Sequence, residues 1–393
     1  MQHVDDDQRR ARLARRHHLA RRAGSVEEAS AAITAWHATE AATVHLALGA
    51  RVGGLRLADV DRALYDDRDI VKQLAMRRTL FAFPRDLLPA VMGSAAPRVA
   101  GQQRALMVKD LLALDIADPQ GWIDATADAV LGVLADGEPR STAQLRALLP
   151  ELESRVVRGS PGRKWSGTFP IASRVLTLLG AEGRVTRGPN AGGWRLNRPT
   201  WTTAEAWLGE RPEPLPEAEA YAELVRRWLR AFGPGTEDDL VWWLGATKGV
   251  VRRALGEVGA VEVSLDGGAT GLLLPDDLDP VDPVEPWAAL LPALDPTVMG
   301  WKHRGFFLDP ADAPYLFDRN GNAGTTAWWD GRVVGCWVQD GDGAVRVALR
   351  CDVSTEAHAA LDAEAARLTA WLDGERVSNI YASPDMRAAR DAE

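Results

Sequence analysis

Apolar positions along the chain recur first at helical spacing and then in alternation, and this order repeats. Ser25-Val26-Glu27-Glu28 has the form of a capping box, with serine at the N-cap and a glutamate three residues on. Ala29, Ala32, Ile33 and Trp36 continue it as one apolar helical face. Val44, Leu46 and Leu48 predict a second helix, 57–64 and 70–76 predict two more, and 79–84 predicts a short strand. In the middle of the chain Ile123, Val130, Leu131 and Leu134 share a helical face that ends at Gly137. Ser141-Thr142-Ala143-Gln144 is a second capping box, opening a helix with Leu145, Leu148 and Leu149. Pro170 suits the first turn of a third helix carrying Ile171, Val175, Leu178 and Leu179. Strands are then predicted over 184–187 and 193–196, around the turn residues Pro189-Asn190-Ala191-Gly192.

The same order returns after the proline-rich linker 211–216. Leu224, Trp228 and Leu229 mark a helix, and Thr236-Glu237-Asp238-Asp239 caps the next. Val250, Val251, Ala254 and Leu255 mark a third, and a hairpin is predicted over 261–274. Three helices followed by a β-hairpin is the order of a winged helix. Residues 122–196 and 221–274 read as two copies, and 25–92 as a more diverged third. Beyond Pro275 the texture becomes Asp- and Pro-rich. Strands follow at 325–329 and 332–337 across the Asp330-Gly331 turn, then at 345–351. A helix over about 355–372 closes this part, and 378–393 is expected to be loosely held. The expected class is α+β, in four parts: an N-terminal module over 1–119, second and third modules over 120–203 and 204–280, and a β-rich domain over 281–393.

Composition supports a globular protein of several domains, with 46% apolar and 26% charged residues over 393 positions. No 18-residue apolar run is present, so no membrane-spanning helix is expected. The Arg-rich start lacks the apolar segment of a secretory signal. Two cysteines, Cys336 and Cys351, form no disulfide framework, which fits a reducing cytoplasm. Neither a GxxxxGK[ST] phosphate loop nor a GxSxG elbow occurs, and no His/Cys cluster has metal-ligand spacing. Net charge is −9, but it is uneven. Residues 9–22 hold seven arginines and no acid, 140–200 is strongly basic, and 262–314 holds ten acids against two bases. Phosphate binding depends on local Lys/Arg density rather than on the whole-chain mean, so nucleic acid stays open as a partner.

Four segments resemble the winged-helix DNA glycosylases of the AlkZ/YcaQ type. They are the Arg-rich entry into Ser25–Ala29, the Met76-Arg77-Arg78-Thr79-Leu80 string, Leu294-Asp295-Pro296 through Gly300, and Phe317-Asp318-Arg319-Asn320-Gly321-Asn322 with 330–335. In the second of these the family typically carries Met-Arg-Gly-Thr-Leu. The resemblance covers nearly the whole chain. It implies three tandem winged-helix modules followed by a C-terminal β-barrel-like domain. It also implies monofunctional hydrolysis of the N-glycosidic bond of alkylated purines, interstrand crosslinks included, without cofactor or metal. The family's catalytic triplet is Gln-apolar-Gln or Gln-apolar-Asp; here it corresponds to His37-Ala38-Thr39, which departs at both polar positions.

An N7-alkylated purine is already a good leaving group, so the chemistry needs a held water and electrostatic support for the sugar cation. Neutral His37 would accept a proton from that water. Thr39 would hold the water, and Glu40 would offer negative charge or act as base. His37 and Thr39 point the same way only in extended backbone. Against this, His37 can be a plain helix-end residue, Thr39 can cap the following helix, and His45 is an alternative histidine. Arg77, Arg78 and Thr79, with Arg163, Lys164, Arg184, Arg187 and Arg195 around the second module, are the expected DNA contacts. At least one tryptophan of each pair, Trp242-Trp243 and Trp328-Trp329, is expected in the core. The expected partner is damaged double-stranded DNA, bound by a monomer in the cytoplasm at the nucleoid. The rival readings are a non-catalytic winged-helix DNA-binding protein, acting as regulator or lesion shield, and a protein scaffold built on the acidic 262–314 region.

Overall fold

The computed structural model describes residues 1–158 and 167–391. Short helices open the chain. Asp6–Arg16 is capped by Asp5, and Val26–Ala32 by Ser25, whose Oγ accepts the Glu28 N–H at 3.1 Å. The second helix stops at Ala32, because Ile33 turns extended and Trp36 joins a strand rather than the helix face. Thr43–Arg51 and Leu57–Asp61 follow. The segment expected as a helix at 70–76 is instead the strand Ile70–Leu74. Its β-branched start suits a pleated surface, and Leu80–Pro84 pairs with it antiparallel along its whole length. With Trp36–His37 on the other side of Leu80–Pro84, this makes a three-stranded sheet.

The second unit runs Pro119–Val133, Thr142–Leu148 and Ala172–Ala181, with the capping box at Ser141 formed as the sequence predicts. Pro170 ends the strand Gly167–Pro170 instead of opening the helix. The hairpin differs too. Its second strand is Pro199–Thr203, not 193–196, and it pairs Thr202 with Thr186. Trp194 leaves the hairpin and packs against His45 and Trp371. The third unit follows its prediction closely, with Glu217–Phe232, Glu237–Leu244, Lys248–Glu257 and the hairpin Val261–Leu265/Thr270–Leu273.

At the C-terminal end Ala288–Leu291, Thr326–Trp329, Arg332–Gln339 and Val345–Leu349 form an antiparallel sheet in sequence order. Its first and last strands do not pair, so the sheet is open and no barrel closes. Thr355–Leu372 covers it through Leu361, Leu368 and Leu372. The segment expected to be loose contains the helix Pro384–Asp391, anchored by fully buried Met386.

One large core joins the first, third and C-terminal parts through Trp36, Trp228, Phe232, Trp301 and Trp328. The second unit keeps its own core around Ile123, Val130, Leu145, Val175 and Trp201. A seam therefore runs between the second unit and the rest, and the 37–40 segment lies beside it.

Candidate functional site

Trp36 and His37 are extended and pair with Ala82 and Phe81, and the Ala38 N–H donates to Leu80 O at 2.9 Å. The strand ends there and the backbone bends at Thr39 and Glu40, so the side chains of the triplet part company. His37 is buried and meets the Phe81 ring edge-on, with centroids 5.2 Å apart. Burial first, and then the nearby Arg77 charge, lower its pKa to about 3, so it is a neutral imidazole. Its Nδ1 accepts the Thr39 N–H at 3.5 Å. Thr39 instead lines a pocket of about 240 Å³. It caps no helix, since Thr43–Arg51 starts four residues later after Ala42, and its buried Oγ1 has no hydrogen-bond partner among the described residues. Glu40 faces elsewhere again. Its Oε1 accepts the Ile380 N–H at 2.8 Å, its Oε2 is buried without a partner among the described residues, and burial raises its pKa to about 7.

The pocket lies in the seam. Thr39, Lys72 and Arg78 come from the first unit; Thr177, Arg187 and Trp201 come from the second. Helix Ala172–Ala181 turns Leu176, Thr177 and Gly180 toward it. Arg187 lies 5.0 Å from the centroid of the Trp201 ring, and burial lowers its pKa to about 10. Arg78 is exposed and sits at φ 58°, directly after Arg77 at φ 54°. This left-handed turn suits the glycine that the resembled family carries there. An arginine in its place costs on the order of 1–2 kcal/mol.

Sequence reasoning missed Lys72. The residue is buried, with its Nζ donating to Tyr65 Oη at 2.7 Å. Burial, reinforced by Arg187 and opposed by Asp61, lowers its pKa to about 7. A signal was present: Lys72 is one of only five lysines, set in the apolar run Ile70-Val71-Lys72-Gln73-Leu74. Reading that run as a helix hid which face the lysine takes.

The remaining candidates disperse. Arg77 turns inward, its guanidinium 4.1 Å from the centroid of the Trp242 ring. Thr79 is half-buried in the turn, its N–H donating to Met76 O. Arg184 pairs with Asp128 at 3.2 Å, and Arg195 with Glu375. Arg163 and Lys164 lie outside the described residues. In the N-terminal arginine run, Arg12 and Arg16 both bond Asp277. Part of that run therefore holds the acidic region in place instead of facing solvent. Trp243 and Trp328 are buried and Trp242 and Trp329 half-buried, as the pairing predicted. His45 is also buried, with Nε2 2.9 Å from Asp61. Among the described residues no group of three or more His, Cys, Asp or Glu could hold a metal ion, and no helix is long and apolar enough to cross a membrane.

Residues 31–371 match the family model described as DNA glycosylase AlkZ-like. Among solved structures, the DNA glycosylase AlkZ of Streptomyces sahachiroi has a similar fold, with a TM-score of 0.73 at 22% identity over 96% of this chain and 99% of that one. No curated protein matches the sequence.

Proposed function

The chain belongs to the AlkZ-like DNA glycosylase family, and on that premise we propose that it excises alkylated purines from duplex DNA at the Thr39 pocket. The carrying observation is a pocket lined by Thr39 and walled by Arg78 and Arg187 from two different units, with the Thr39 Oγ1 buried behind its surface and without a hydrogen-bond partner among the described residues. We read the first three units as winged helices over 1–119, 120–203 and 204–280, with the C-terminal sheet domain over 281–393. The seam between the second unit and the others is the DNA-facing cleft in this reading.

The chemistry follows from the residues. Arg78 and Arg187 disfavour a cationic base beside them and favour the phosphates that flank it. The alkylated base then takes the apolar side, against Leu80, Leu176 and Trp201. The pocket is smaller than the roughly 300–1,000 Å³ of typical ligand clefts, which suits one sugar or one base. Rotated toward the pocket, Thr39 Oγ1 accepts a hydrogen bond from the attacking water and aligns it on C1′. His37 lies behind it as a neutral acceptor that orders the 37–39 backbone through the Thr39 N–H. Water adds to C1′, the C1′–N bond breaks, the electron pair leaves with the base, whose positive charge is thereby cancelled, and the proton of the added water passes to solvent. A bulky or crosslinked base obstructs ordinary flipping, and an open seam accommodates it without full extrusion.

The test is release of free base from DNA containing 7-methylguanine, and separately from a crosslinked duplex, measured by chromatography together with abasic sites. Wild-type release, reduced about 100-fold in Thr39→Val with DNA binding retained, is the expected result. Tight, salt-sensitive binding with no release by the wild type would favour the non-catalytic DNA-binding reading. The parting of His37 from Thr39 gives that rival its own support.

A further inference from the structure

Hydrolytic base release leaves the pocket's lysine unused. Lys72 lines the same pocket as Thr39 and makes no ion pair among the described residues. Its Nζ donates to a phenol oxygen, the Tyr65 ring centroid being 4.9 Å away, and a donated hydrogen bond leaves the nitrogen lone pair uncommitted. Asp61, the acid that would most support an ammonium here, bonds His45 Nε2 instead. Arg187 faces the amine from the second unit, and Arg78 stands at the same pocket. An amine that is desolvated, set beside fixed cations and bonded to no carboxylate is poised as a nucleophile toward carbonyl carbon.

Base release produces such a carbonyl, because the abasic deoxyribose opens to an aldehyde at C1′. We propose that Lys72 captures this aldehyde as a Schiff base, so that the pocket holds its own abasic product covalently and reversibly. The proposal rests on the glycosylase reading for the source of the aldehyde, and it follows base release rather than replacing the water. The Nζ lone pair adds to C1′ and forms the C–N bond. The carbonyl oxygen takes up a proton and becomes a hydroxyl. That hydroxyl takes a second proton from solvent and leaves as water when the C=N bond forms, and the nitrogen gives up one of its protons to solvent, leaving a protonated imine. No oxidant or reductant enters. Arg78 and Arg187 contribute by holding the phosphates on either side of the sugar.

The experiment uses the full chain and a duplex carrying a preformed abasic site, with sodium borohydride to reduce any imine to a stable amine. The expected result is a protein–DNA adduct on a denaturing gel, mapped by mass spectrometry to Lys72. It forms half-maximally near pH 7, and it is lost in Lys72→Arg, which keeps the charge without the nucleophile. An adduct mapped elsewhere, one that persists in Lys72→Arg, or none on bound abasic DNA would overturn the proposal. Mapping on the wild type decides the matter even where the variant folds poorly. Base release from 7-methylguanine DNA is measured in parallel. Release without trapping removes the lysine chemistry alone; trapping at Lys72 without release keeps it and removes the alkylpurine reading. Absence of both removes the two together.

Discussion

Arg51 and Asp295, 244 positions apart, meet as a bidentate ion pair at 2.6 and 2.9 Å with neither side chain exposed. Thr297 Oγ1 accepts a further bond from Arg51 at 2.7 Å, and the Thr297 N–H donates to Asp295 at 2.8 Å. The Leu294-Asp295-Pro296 string is thus a lock between the helix under the candidate site and the C-terminal part. Removing one partner leaves a buried charge alone. Asp295→Ala is expected to lower stability by about 3–5 kcal/mol, measured by denaturant unfolding. A loss below 1 kcal/mol would show the pair to be incidental.

His37 is expected to be silent in the pH range where histidine ordinarily titrates, since burial holds its pKa near 3. The pH profiles of base release for wild type and His37→Gln should run parallel between about pH 5 and 8. A break near neutrality that vanishes in the variant would make His37 a titrating base after all.

Glu40 has its pKa raised from 4.5 to about 7. Between those values the unfolded chain ionises it while the folded chain keeps it protonated. Its stabilising contribution is therefore full below about pH 4.5 and is lost as pH rises through about 7. Melting temperatures of wild type and Glu40→Gln should diverge across that window, the variant gaining with pH by on the order of 3 kcal/mol. Parallel curves would contradict the burial of this carboxyl against Ile380.

Arg78 sits in a left-handed turn that a glycine would occupy without strain. Arg78→Gly is expected to raise stability by about 1 kcal/mol in thermal unfolding. The same change should reduce the salt dependence of DNA affinity by about one phosphate contact in an anisotropy titration. Arg195→Ala, whose side chain pairs with Glu375, should leave that slope nearly unchanged. Equal effects from the two would remove Arg78 from the interface.

Trp194 bridges the second unit to the rest, 5.1 Å from His45 and 6.3 Å from Trp371 between ring centroids. Trp194→Ala is expected to cost about 3 kcal/mol and to speed proteolysis in the second unit. Unchanged cleavage would mean that other contacts hold the seam.

Local chemistry was legible in the chain by itself. Ser141 and Thr236 cap their helices, the Asp330-Gly331 turn joins its two strands, and Trp243 and Trp328 are buried, because each signal acts over a few neighbouring residues. The extended backbone at His37 and the pairing of Ile70–Leu74 depended on Leu80–Pro84 as a partner, and there strand pairing overrode the helical spacing. The site depended on more distant encounters still. Thr39 and Lys72 meet Arg187 across the seam, Glu40 meets Ile380, and Arg12 and Arg16 spend their charge on Asp277. Periodicity specifies which face of an element is apolar. It carries no information about which residue, more than a hundred positions away, will fill the space opposite, and it is that space which sets the burial, charge and reach of every group in the pocket.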